Sequence, residues 1–105
     1  MRMSTISKQS RAAQHRLADA VGLELKERRL ALGLSQAGLG APLTRAFVSS
    51  VERGRIVPSL PALLLMTERL GTDLGEFFGA VNNHMTLLYT AAHDRAQDPS
   101  PRRRR

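Results

Sequence analysis

The sequence contains no cysteine, so it has no disulfide framework, no thiolate metal site and no cysteine nucleophile. It also lacks any apolar run approaching the roughly 18 residues that a membrane span needs. The first ten residues, "MRMSTISKQS", are positively charged but have no apolar core of a signal peptide. We therefore expect a soluble, cytoplasmic protein with no membrane contact.

Acidic residues are few, with 9 Asp and Glu against 16 Lys and Arg, which gives a net charge of +7. Most of this excess lies at the two ends, since residues 1–19 and residues 81–105 each carry +3. A nearly neutral middle with basic ends suits a polyanionic partner, because basic tails neutralise phosphates and release counterions. The alternative is that the final "RRRR" is a solvated, disordered terminus without a partner.

Signals for catalysis are missing. His15, His84 and His93 stand in three separate contexts without the close spacing of metal ligands. There is no G-x-S-x-G nucleophile elbow and no phosphate-binding loop. We expect no enzymatic activity, no catalytic residue, no metal site and no cofactor.

The apolar positions and capping residues predict an all-α chain of one domain. Leu17, Val21, Leu25 and Leu32 mark one face of a first helix that ends before Gly33. Four further helices are each preceded by a residue that can cap them, namely Ser35, Thr44, Ser59 and either Thr72 or Asp73. Beyond Gly79, "HMTLLYTAAHDRAQ" fits a helix, although "MTLLYT" alternates well enough for a strand; we favour the helix.

These signals divide the chain into four parts. We expect a flexible, basic N-terminal arm over residues 1–16 and a helical domain over residues 17–80. A C-terminal extension over residues 81–97 is a candidate for dimerisation, and residues 98–105 are expected to form a disordered, arginine-rich tail.

The third helix has two different sides when its residues are placed about 100° apart. One side carries Phe47, Val48, Val51 and Glu52, whereas the other side is small and polar, with Arg45, Ala46, Ser49, Ser50 and Arg53. Short side chains let a helix approach closely in the major groove of DNA, where arginine can reach guanine or phosphate. Plain solvent exposure explains the same pattern.

Arg29 lies at the edge of the apolar stripe of the first helix, between Leu25 and Leu32. Glu52 lies at the edge of the apolar side of the third helix. Each charge would be unfavourable alone in such a place, and the two can pair as a bidentate fork. We therefore predict a structural ion pair between Arg29 and Glu52.

Three segments together resemble a known family: "LKERRLALGLSQ" (residues 25–36), "FVSSVERGRIVPSLPALLLMTERLG" (residues 47–71) and "DLGEFF". The resemblance is to the helix-turn-helix domain of the phage repressor and Cro family, the XRE type, and it spans residues 21–79. The matching positions are Arg29, Gly33, Leu34, Ser35, Gln36, Leu39, Val48, Ser49, Ser50, Val51, Glu52, Arg53, Gly54, Pro58 and Ser59.

The resemblance implies a five-helix bundle that binds double-stranded DNA, with the third helix in the major groove and the second helix crossing the backbone. It implies that Gln36 donates to a phosphate, that Thr44, Arg45 and Ala46 approach base edges, and that Ser50 lies one turn later on the same face. By the same analogy, Ser49, Arg53 and Arg55 contact phosphates. The function implied is that of a sequence-specific transcriptional regulator.

One departure from the family pattern concerns the turn between the second and third helices. The family usually has ten residues between the positions of Leu39 and Val48, whereas this chain has eight, "GAPLTRAF". Such a turn could tilt the third helix and leave a domain that binds a protein instead of DNA. A protein-interaction module, such as an antitoxin-like or regulatory protein, is therefore the alternative function.

A homodimer is the expected assembly. On the fourth helix, Leu65 falls on the polar side, opposite a broad apolar side formed by Leu60, Leu63, Leu64, Met66, Thr67 and Leu70. Leu65 is either a singly exposed leucine or, together with Phe77, Phe78 and residues 85–89, part of a subunit contact. A two-fold dimer would present two third helices about 34 Å apart to a palindromic operator.

Overall fold

A computed structural model of the chain describes the backbone of residues 2–97 and the side chains of residues 10–91. Within residues 2–97 the chain forms five α-helices and no strand. Their bounds are α1 Arg2–Ala31, α2 Gln36–Gly40, α3 Arg45–Glu52, α4 Leu60–Leu70 and α5 Leu74–Gln97. The predicted all-α, five-helix class is confirmed. The expected tail at residues 98–105 lies outside the described residues.

The helix ends follow the capping residues in the sequence. The hydroxyls of Ser35, Thr44 and Ser59 each accept a hydrogen bond from a backbone N–H three residues later, at the start of α2, α3 and α4. Asp73 Oδ1 accepts from the backbone N–H of Glu76, 2.7 Å away, so Asp73 makes this contact at the start of α5. The caps predicted for these four helices are confirmed, and the choice between Thr72 and Asp73 falls on Asp73.

Helix α1 differs from its predicted start. The sequence predicts an arm over residues 1–16, but the structure has one continuous helix from Arg2 to Ala31. Residues 10–16 contain alanine, arginine and glutamine but no glycine or proline, so nothing interrupts the helix before Leu17. Arg16 is half-buried, and its guanidinium lies over the ring of Tyr89 on α5 at 5.2 Å.

Helix α5 is longer than a short fifth helix that would end at Gly79. It continues to Gln97, so the helical alternative for the region after Gly79 is confirmed and the strand is excluded there. A glycine inside a helix is unfavourable by roughly 1 kcal/mol, which the packing of Val81, Met85 and Leu88 on the core offsets.

Around the core, α1 packs against α3 and α5, α2 packs against α3 and α4, and α4 packs against α5. The largest fully buried side chains come from all five helices and include Val21, Leu25, Leu39, Val48, Val51, Met66 and Phe77. None of the helices in residues 2–97 has the length and apolar content needed to cross a membrane.

The buried face of helix α4 is narrower than the broad apolar side that the sequence predicts. Leu60 and Leu64, assigned to its apolar side, are 63% and 45% exposed, whereas Leu65 is half-buried. Leu63, Met66, Thr67 and Leu70 form the inner face, at the spacing of a single helical stripe. Phe77 is fully buried in the same core, so the expectation that it contributes to a subunit contact is wrong.

Candidate nucleic-acid interface

The small-residue side of α3 faces outward. Arg45, Ala46 and Arg53 are exposed, and Ser49 and Ser50 are half-buried. On the opposite side, Val48 and Val51 are completely buried. The outward side is therefore accessible at Arg45, Ala46 and Arg53 and partly accessible at Ser49 and Ser50, and the opposite side of the helix is fixed in the core.

Both ends of α3 are closed by local hydrogen bonds. At the N-terminal end, exposed Thr44 accepts from the backbone N–H of Phe47 at 3.0 Å. At the C-terminal end, Gly54 has φ +75°, a conformation that glycine adopts without strain. The backbone N–H groups of Gly54 and Arg55 donate to the carbonyls of Val51 and Ser50, both at 3.0 Å. These contacts place Arg53 and Arg55 directly after the helix, where both side chains are exposed.

Two close approaches position α3 on its neighbours. A Cβ at Gly22 on α1 would overlap the carbonyl oxygens of Val51 and Glu52. A Cβ at Gly40 on α2 would overlap the Val48 side chain. Helix α3 is therefore packed between α1 and α2 at a distance that only glycine permits, and the shortened turn still leaves α2 and α3 in direct contact.

Arg29 and Glu52 meet as a bidentate pair. Arg29 Nε lies 2.6 Å from Glu52 Oε2, and its Nη2 lies 3.0 Å from Oε1. The two side chains are only 10% and 3% exposed. Arg29 Nη1 also donates to the carbonyl of Leu34 at 2.8 Å, so the guanidinium joins α1, the α1–α2 turn and α3. The hydrogen bond to Glu52 raises the pKa of Arg29, which favours the charged form.

Gln36 belongs to the same network. Its Nε2 donates to Glu52 Oε1 at 3.0 Å, and the side chain is half-buried. A side-chain amide carries two N–H groups, so one donor remains beyond the bond to Glu52. The residue expected to contact a phosphate is thus held in place by the ion pair at the end of α3. The sequence pattern did not indicate this link.

A basic groove borders the loop after α3. It has a volume of about 560 Å³ and lies between the N-terminal half of α1 and the loop that starts at Gly54. Arg11, His15 and Arg55 line it, together with the apolar side chains of Leu17 and Val57. Sequence reasoning missed Arg11 and His15, because it placed residues 1–16 outside the fold; the absence of helix-breaking residues there was the available signal.

Arg69 is a second residue that the sequence did not single out. Its Nη1 donates to the carbonyl of Leu39 at 3.1 Å, which links α4 to the last turn of α2. The carbonyls at a helix C-terminus lack intrahelical partners, and a cation is favourable there. The contact helps to hold α2 against α4.

The fold and this arrangement define a helix-turn-helix protein. The family model described as a helix-turn-helix domain matches residues 20–77, which is more than half of the chain, so the chain belongs to that family. The resemblance inferred from the sequence motifs is confirmed at this level.

A comparison with solved structures finds a similarity to a gene regulator. The chain is similar to the crystal structure of the clp gene regulator ClgR from Corynebacterium glutamicum, with 25% sequence identity and a TM-score of 0.68. The match covers 77% of this chain and 87% of that chain. No curated protein matches the sequence. Family membership and this similarity support a DNA-binding transcriptional regulator.

Proposed function

We propose that the protein is a sequence-specific DNA-binding transcriptional regulator of the XRE type that acts by binding, without catalysis. The observation that carries this proposal is the exposed small-residue side of α3, opposite two fully buried valines. A helix fixed in this way can enter a major groove without rearrangement. The similarity to a gene regulator over 77% of the chain supports the same role.

In the proposed complex, the residues at the start of α3 read bases. Thr44, Arg45 and Ala46 approach base edges, and Ser50 follows one turn later on the same side of the helix. Arg45 is the main candidate for base recognition, because a bidentate arginine–guanine contact contributes about 1–3 kcal/mol of discrimination.

The flanking polar residues contact the phosphate backbone. Ser49, Arg53 and Arg55 do so after the first turn of α3, and the remaining N–H of Gln36 does so from the start of α2. Arg11 lies beside Arg55 in the basic groove and extends the positive surface next to these contacts.

The proposed assembly is a homodimer that binds a palindromic operator. Two copies related by a two-fold axis would place their α3 helices about 34 Å apart, which is one turn of B-DNA. Exposed apolar side chains are available for subunit contact on α4 and α5, including Leu60, Leu64, Phe78 and Leu87.

Selection of bound duplexes from a random pool tests the proposal. The full chain is expected to enrich a palindrome whose half-sites have their centres about 10 base pairs apart. Binding without enrichment of any sequence would contradict sequence-specific recognition.

A protein-interaction module is the second candidate, since the turn between α2 and α3 is shortened and apolar side chains are exposed on α4 and α5. Size-exclusion chromatography of the protein with duplex DNA at low salt distinguishes the two functions. A co-eluting complex is expected for the regulator, and the absence of any complex would favour a protein partner.

A further inference from the structure

Helices α1 and α5 bring together three side chains that can bind a metal ion. Glu24 and Glu27 lie almost one turn apart on α1, and His84 faces them from α5. One oxygen of each carboxylate and one ring nitrogen all lie within 4.8 Å of one another. His84 lies far from Glu24 and Glu27 in the sequence, so the sequence alone shows no ligand partner for it.

The distances fit a tetrahedral zinc ion. His84 Nε2 lies 3.1 Å from Glu24 Oε1 and 3.5 Å from Glu27 Oε1. Two ligand atoms that are each about 2.1 Å from a tetrahedral zinc lie roughly 3.4 Å apart. An ion placed between these atoms would therefore need only small side-chain movements.

The three candidate ligands differ in how far they are exposed to solvent. The Glu24 side chain is only 9% exposed, whereas those of His84 and Glu27 are 22% and 62% exposed. Arg28 pairs with the other oxygen of Glu24, Oε2, and so orients the carboxylate with Oε1 toward His84 Nε2, as an outer-shell partner does. Ions can reach the cluster from solvent, and Glu27 can move to close the site.

We propose that Glu24, Glu27 and His84 form a binding site for a divalent transition-metal ion of the zinc class, with water as the fourth ligand. One imidazole nitrogen and two carboxylate oxygens suit zinc, whereas magnesium and calcium prefer oxygen ligands alone. The bound ion joins α1 to α5 and stabilises the folded chain, because the unfolded chain does not hold the three ligands together. This site does not depend on the proposed binding of DNA.

Isothermal titration of the untagged full chain with zinc chloride at neutral pH tests the site. We expect one bound zinc ion per chain and no detectable binding of magnesium. At a free zinc concentration about a hundred times the dissociation constant, the thermal midpoint should rise by roughly 10 °C.

Variants identify the ligands. His84→Ala and Glu27→Gln should each weaken zinc binding more than about tenfold, since each removes a ligand. His15→Ala removes an exposed histidine on α1 outside the cluster and should leave the affinity unchanged. Because the Glu27 side chain is mostly exposed, Glu27→Gln should fold normally. It therefore tests whether the cluster binds zinc even if His84→Ala folds poorly. Absence of zinc binding by the parent chain would overturn the proposal, as would unchanged affinity in both ligand variants.

Discussion

Two glycines, Gly22 on α1 and Gly40 on α2, determine how closely these helices approach α3, since a Cβ at either position would overlap α3 atoms. From the sequence alone, a glycine inside a helix is interpreted only as a weak helix former and not as a requirement of packing. The need for glycine arises from the backbone of another helix, which no local pattern contains. The closeness of α3 to α1 therefore could not be predicted.

Replacing Gly22 tests this close approach. Gly22→Ala places a methyl group against the carbonyl oxygens of Val51 and Glu52, so we expect a loss of about 1–3 kcal/mol in the free energy of unfolding, measured in urea. Gly79→Ala is the matched control, because a Cβ there meets nothing within 4 Å and alanine is the better helix former. The control should be neutral or slightly stabilising. Equal effects of the two changes would contradict the packing described for α1 and α3.

The Arg29–Glu52 ion pair, unlike the glycine contacts, could be predicted from the sequence. Each lies at the edge of an apolar face, and a buried charge needs an opposite charge nearby. The participation of Gln36 and of the Leu34 carbonyl could not be predicted, because both depend on how the α1–α2 turn folds back on α3.

A double-mutant cycle tests the energetics of this pair. Glu52→Leu leaves the buried guanidinium of Arg29 without its counter-charge and should reduce the free energy of unfolding by about 3–5 kcal/mol. Adding Arg29→Met removes the unpaired charge, so the double variant should be more stable than Glu52→Leu alone. Additive losses in urea denaturation would argue against a buried, coupled pair.

At the scale of the helices, starts and stops were the most predictable features. Serine and threonine accept hydrogen bonds from the first turn, and glycine adopts the positive φ that ends a helix, so both signals are local. The extents of α1 and α5 were less predictable, because they depend on the pairing of these two helices with each other. The Glu24–Glu27–His84 cluster was missed because it depends on this pairing, and the basic groove was missed because residues 1–16 were expected to lie outside the fold.

The cap at the start of α3 gives a test at this scale. Thr44→Ala removes the acceptor for the backbone N–H of Phe47 and should reduce the free energy of unfolding by about 1 kcal/mol. Thr44→Ser keeps the hydroxyl and should retain most of the stability in the same urea titration. If alanine and serine were equivalent, the hydroxyl would have no capping role.

At the scale of the whole molecule, the net charge of +7 suits a polyanionic partner. The structure shows where some of the basic side chains lie. Arg53 and Arg55 follow α3 directly, and Arg11 lines the groove beside Arg55. The candidate DNA-contacting positions on α3 were predicted from the two chemically distinct sides of the helix together with the family resemblance. It did not place Arg11 near them.

The salt dependence of DNA binding tests the proposed phosphate contacts. Arg53→Ala should weaken binding to all duplex sequences about equally, because a phosphate contact carries no base information. It should also reduce the slope of log affinity against log salt concentration by about 0.9. An unchanged slope would exclude Arg53 from the phosphate contacts, whatever the change in affinity.

The most direct measurement of the central claim is a competition assay between a selected operator and a scrambled duplex, carried out with the parent chain, Arg45→Ala and Arg53→Ala. We predict that Arg45→Ala loses about 1–3 kcal/mol of the preference for the operator, whereas Arg53→Ala keeps that preference while binding both duplexes more weakly. An Arg45→Ala protein with undiminished operator preference would contradict the account that the exposed side of α3 reads DNA through Arg45.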